Sequence, residues 1–181
     1  MGLNVIGSVG PRFKGNSLRT GIYYGPTGLT GTDATGTLVQ DREYGVRFEL
    51  EEAKTFSRIG IHVTIAQPAS VVRLGIRQDD YGMPGTLVLD AGTVASTSTG
   101  FKEITISQPL TIGRYWLTAT IQGAAGVEVK AKYSDPFIGQ LAGDHANLSS
   151  IQQSGISGAL PASWSSYAPD SIGAKVMLKV T

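Results

Sequence analysis

Alternation with a period of two recurs along most of this chain, and it limits the fold more than any other feature. "TFSRIGIHVTI" sets Ile59, Ile61, Val63 and Ile65 against Arg58, Gly60, His62 and Thr64. "YGVRFEL" sets Tyr44, Val46, Phe48 and Leu50 against Arg47 and Glu49. "SVVRLGIRQ" aligns Val72, Leu74 and Ile76, "GTLVLDAGTV" gives Leu87 and Leu89, and "FKEITIS" gives Ile104 and Ile106. "GRYWLTATIQ" follows with Tyr115, Leu117, Ala119 and Ile121, then "GVEVKAK" with Val127, Val129 and Ala131. Successive strand residues point to opposite faces, so each segment offers one apolar face to a core. Such segments at short spacing, punctuated by turn residues and rich in β-branched side chains, predict an antiparallel sandwich or barrel. No segment carries a helical period. The expectation is an all-β, jelly-roll-like antiparallel β-sandwich.

Two regions break the pattern. Residues 1–43 are glycine-rich and poorly periodic, with short apolar clusters between turns. A stretch this long without regular elements is uncommon inside a compact domain, and its aromatic residues set it apart from a plain flexible linker. It is read as an extended arm for assembly, with Phe13, Ile22, Tyr23 and Tyr24 as contacts. Residues 134–171 are an irregular excursion interrupted by Pro136, Pro161 and Pro169. "IGAKVMLKV" then restores alternation, so the excursion must bring the chain back to the sheet. The sandwich domain is therefore placed at residues 44–181.

Composition narrows the function. Only 16% of residues are charged and the formal net charge is +1, with no basic run. Nucleic acid and anionic membrane surfaces have no electrostatic footprint to grip. No stretch is long and apolar enough for a membrane-spanning helix. The N-terminal residues lack the basic start and apolar block of a signal peptide. There is no cysteine, so disulfides and thiolate metal sites are excluded. Low charge also suits a surface that meets other proteins, because interface cores are depleted in charge.

Catalytic and metal signals are weak. His62 lies mid-strand on a polar face. His145 has Asp144 beside it but no second histidine near. A metal site needs several convergent ligands, and no Gly-x-Ser-x-Gly elbow is present. Asp79, Asp80 and Asp90 could serve calcium, but they lack the ladder of a calcium loop, and turn chemistry accounts for them. No cofactor, metal or catalytic residue is expected, and the chain is read as non-enzymatic. Aromatic residues at turns are the stronger signal: Tyr81, Trp116, Tyr133, Trp164 and Tyr167. Flat rings stack on sugars and anchor protein interfaces. Trp164, Tyr167, Tyr133 and Tyr81 are candidate glycan or interface contacts. Trp116 sits on the polar parity of its strand. It either packs under "LPASWSSY" in a second small cluster, stacks on a glycan, or meets a neighbouring subunit.

"FSRIGIHVTIA", "RLGIRQDDYGMPGTLVLDAGTV" and "STGFKEITISQPLTIGRYWLTATIQG" together resemble a β-sandwich module of tailed-bacteriophage virion proteins, of the tail fibre or minor tail type. The matching residues are Arg58-Ile59-Gly60, Arg73-Leu74-Gly75-Ile76, Pro84-Gly85, Asp90-Ala91-Gly92-Thr93-Val94, Thr99-Gly100 and Tyr115-Trp116-Leu117. Arg77 stands where that pattern has an aromatic residue. The resemblance covers residues 56–123 and implies a virion component that multimerises, expected as a homo-trimer. Its implied partners are other virion proteins of tail or capsid, and host surface polysaccharide. It implies a tail fibre or tail-tip module. A capsid decoration (cement) protein and a carbohydrate-binding module are the alternatives. The motif is mostly scaffold, which favours packing for Trp116.

Overall fold

The computed structural model describes residues 17–29, 33–133 and 148–181. The described residues form strands and no helix. In chain order these are β1 (Tyr23–Tyr24), β2 (Ala34–Thr37), β3 (Arg42–Leu50), β4 (Lys54–Ile65), β5 (Val71–Asp80), β6 (Met83–Ala95) and β7 (Gly100–Leu110). They continue with β8 (Gly113–Gln122), β9 (Glu128–Lys132), β10 (Ser150–Ser154), β11 (Ala168–Asp170), β12 (Gly173–Ala174) and β13 (Met177–Val180).

Two antiparallel sheets pack face to face, giving the all-β sandwich that the alternation demands. One follows the order β11-β10-β3-β8-β5-β6. The other follows β1-β13-β4-β9-β12, with β7 also paired to β4 and β2 to β9. In the first sheet Val46 lies opposite Leu117, which in turn lies opposite Ile76. In the second, Leu178 and Ile104 flank Ile59. These rows face one another, and Phe48 meets Phe56 edge-on with ring centres 6.1 Å apart. Each large side chain so buried contributes roughly 1.5–3 kcal/mol. Ile65, expected with this row, is exposed instead. It ends β4 where the pairing with β9 shifts register.

Residues 17–29 and 33–43 do not project as an extended arm. Tyr23 and Tyr24 pair with Lys179 and Leu178 of β13. Residues 34–37 pair with β9, and β3 already begins at Arg42. The glycines and threonines hid these strands because each is short and lies at a sheet edge. The excursion also holds strands. β10 extends the first sheet beside β3, and β11 pairs with β10. Between them residues 155–166 form a strap across the outer face of that sheet. β12 and β13 then return the chain to the second sheet.

Candidate functional site

The outer face of the six-stranded sheet is polar but buried, because the strap covers it. Arg47, Trp116 and Arg77 stand side by side on β3, β8 and β5. Trp116 is fully buried and clusters with Ile151 and Trp164. Arg77 and Glu43 are both wholly buried and joined in a two-pronged ion pair of 2.8 and 3.0 Å. Gln153 donates to the same carboxylate at 2.7 Å, and Arg77 also donates to the carbonyls of Gly85 and Pro161. The guanidinium lies 5.1 Å from the centre of the Trp164 ring. A charge pair out of water holds only when its remaining hydrogen-bonding capacity is met, as it is here. Arg77 therefore fills the place of the expected aromatic residue by pinning the strap.

The strap is fastened at further points. Leu160 packs onto Gly75, where a Cβ would sit 2.3 Å from its Cδ1. The Leu160 N–H donates to Asp90 at 3.0 Å, and Leu87 N–H donates to the carbonyl of Ala162 at 2.8 Å. Burial pushes the Asp90 carboxyl up. The Arg73 guanidinium at 2.9 Å and the N–H groups of Gly92 and Leu160 outweigh that and hold it below the usual carboxylate range.

This layer braces one end of the sandwich. The Trp116 indole N–H donates to Asp79 Oδ1 at 2.9 Å. The other oxygen of Asp79 accepts the Gly82 N–H at 3.0 Å. Asp79 thereby closes the β5–β6 turn, as aspartate commonly does. Between these fixed points Tyr81 takes φ of +49°, a left-handed conformation unusual for a bulky residue, and its side chain is fully exposed. Met83 is exposed next to it. Gln78 Nε2 donates to the carbonyl of Arg114 at 3.2 Å, which places the β7–β8 turn at the same end. That turn carries Ile112, 68% exposed.

A second exposed apolar patch lies on the outer face of the seven-stranded sheet. Tyr23 and Phe101 meet edge-to-face with ring centres 5.1 Å apart. Phe101 packs over Gly60, where a Cβ would come within 2.6 Å of its ring and 2.8 Å of the Lys102 carbonyl. The Tyr23 hydroxyl donates to Glu103, which Arg58 also approaches at 3.4 Å. Burial, then the hydrogen bond to Glu103, pushes the Tyr23 phenol up to about 12. Lys179 stands 5.6 Å from the Tyr23 ring centre. Ile22, 49% exposed, lies opposite Val180 and so on the other side of the sheet from this patch.

The aromatic candidates thus separate. Tyr81, Tyr133 and Tyr167 are exposed, and the Tyr133 hydroxyl donates to the Thr35 carbonyl. Trp164 is not a surface contact: it is buried as the plug of the strap. Tyr24 is half-buried, packs against the core, and its hydroxyl accepts the Arg19 N–H at 2.7 Å. Phe13 and His145 lie outside the described residues. His62 is part-buried on β4 opposite Phe101. Among the described residues no group of histidines and carboxylates converges as a metal site. Phe101 and Ile112 were missed in the sequence. Phe101 shares the parity of Glu103 and Thr105, and an aromatic on polar parity was the signal that singled out Trp116. In comparisons with known proteins, no family model matches the chain and no curated protein matches it.

Proposed function

We propose that this is a non-enzymatic structural protein of a tailed-bacteriophage particle, a tail fibre or tail-tip module that works by assembly and attachment. The observation that carries this reading is the pair of apolar surface patches on the β scaffold, exposed Tyr81, Met83 and Ile112 at one end and exposed Phe101 against half-buried Tyr23 on one sheet. Exposed apolar groups of this kind mark contact surfaces. The residues that resemble the virion module support it: Arg73 and Asp90 fasten the strap, and Trp116 braces the Tyr81 turn. With Trp164 covered, Tyr81, Tyr133 and Tyr167 are the aromatic side chains of the earlier set left to meet a host glycan.

Gold-labelled antibody against the protein, applied to intact particles, tests the reading. Label on the tail is the expected result. Label on the head would replace it with capsid decoration, and particles that lack the protein altogether would overturn both.

A further inference from the structure

The two exposed patches differ in charge. At the Tyr81 end Asp80 is exposed, and among the described residues it has no basic partner within ion-pair distance. On the sheet patch Lys179 stacks on Tyr23 and, among the described residues, pairs with no carboxylate. Beside the Asp79–Arg114 pair the end thus carries an unpaired carboxylate, and beside the Arg58–Glu103 pair the sheet patch carries an unpaired ammonium. Pairing either patch with the same patch of another copy would bring like charges together, Asp80 on Asp80 or Lys179 on Lys179. Pairing through the outer edge of β7 is disfavoured. That edge carries Lys102 and Glu103, a register irregularity opposite Phe56–Arg58, and Pro109. These are the features that blunt edge-to-edge addition.

We propose that the Tyr81 end of one copy docks on the Tyr23–Phe101 face of a second copy. Tyr81 and Met83 pack against Phe101, and Asp80 meets Lys179. Such a contact is heterologous: each copy gives its end to one neighbour and its flank to another. It closes as a ring or continues as a filament, whereas an isologous pair would stop at two. The inference rests on the reading of the protein as an assembly module, but its test needs no particle. Labelling on the virion and self-association in solution can therefore fail separately.

The test is light scattering with sedimentation on the 181-residue chain. Asp80→Lys disables the end and Lys179→Glu disables the face; both residues are on the surface, and thermal melts check that each variant folds. The expected result is a wild type that forms species larger than a dimer and two variants that associate at least about tenfold more weakly. Mixed together, the two variants keep one intact surface each way and one doubly reversed pair, so association returns. The double variant Asp80→Lys/Lys179→Glu also recovers association. A monomeric wild type at the highest attainable concentration overturns the proposal, as do variants that associate like wild type or a mixture no stronger than its components. Hydroxyl-radical footprinting adds a further check: a monomer whose Phe101 is protected assigns the face to another segment of the same chain, and that also overturns it.

Discussion

Replacing Arg77 with methionine leaves Glu43 buried with its main cation gone. Both side chains are wholly buried, and the guanidinium makes two contacts to the carboxylate and two to backbone carbonyls. Removing one partner of a buried pair costs roughly 3–5 kcal/mol, because the remaining charge stays out of water. For a chain of 181 residues each kcal/mol moves the melting temperature by about 2–4 °C, so Arg77→Met should lower it by roughly 6–20 °C. Glu43→Gln alone strands the guanidinium less severely, since the amide oxygen still accepts from it and from Gln153. In the double variant no charge is left buried, and more than half of the Arg77→Met loss should return. Urea unfolding of the four proteins of the cycle measures this, with an unchanged slope against denaturant required for the comparison. A cost below about 1 kcal/mol for Arg77→Met, or a double variant no better than the single, would refute the reasoning.

Other consequences follow from the same geometry. Trp116→Phe removes the donor to Asp79 and should cost about 2–3 kcal/mol, with heteronuclear relaxation reporting a looser turn at residues 80–82. Gly60→Ala should destabilise by about 1–3 kcal/mol, because the Lys102 carbonyl is backbone and cannot swing aside; a neutral substitution would show that Phe101 does not lie there. The lowered Asp90 carboxyl contributes stability that is present above its unfolded value near 4 and lost as pH falls through its folded value. Amide exchange at Leu87 and Leu160, corrected for intrinsic rates, should therefore quicken first in acid. The Tyr23 phenol runs the other way: its stabilisation is complete below its unfolded value near 10 and is lost as pH rises toward about 12. Absorbance titration should show its late ionisation vanish in Tyr23→Phe.

What the sequence disclosed follows from parity. Alternation located the inner face of most half-buried strands, from Val46 to Leu178, but failed at Ile65, past a register shift, and at Leu87, which a bulge sets opposite Arg77 on the outer face. Parity also flagged Trp116 as an aromatic on the polar side, and the "LPASW" segment as its cover. Where burial was two-sided or the strand short, the signal failed. β10 has only Ile151 and polar neighbours, since its pairing is with β3 and its cover is the strap. Trp164 in a serine-rich loop reads as an exposed ring because nothing local announces the Arg77 and Trp116 beneath it. Tyr23 and Tyr24 look equivalent in sequence, but pairing with β13 sends one to the outer face and the other toward the core. The Tyr81 turn was legible as turn chemistry, while its bracing by an indole 35 positions away was not.

A contact between the Tyr81 end of one copy and the Tyr23–Phe101 face of another would bring the two surfaces within cross-linking reach. Because the chain has no cysteine, a mixed disulfide tests it directly. Met83→Cys protein is mixed with Thr105→Cys protein, Thr105 being exposed on that face beside the Arg58–Lys179 row, under mild oxidation. The account predicts a cross-linked species containing one of each, formed faster than either variant links to itself. Self-linked dimers of either variant formed at the same rate or faster would contradict it.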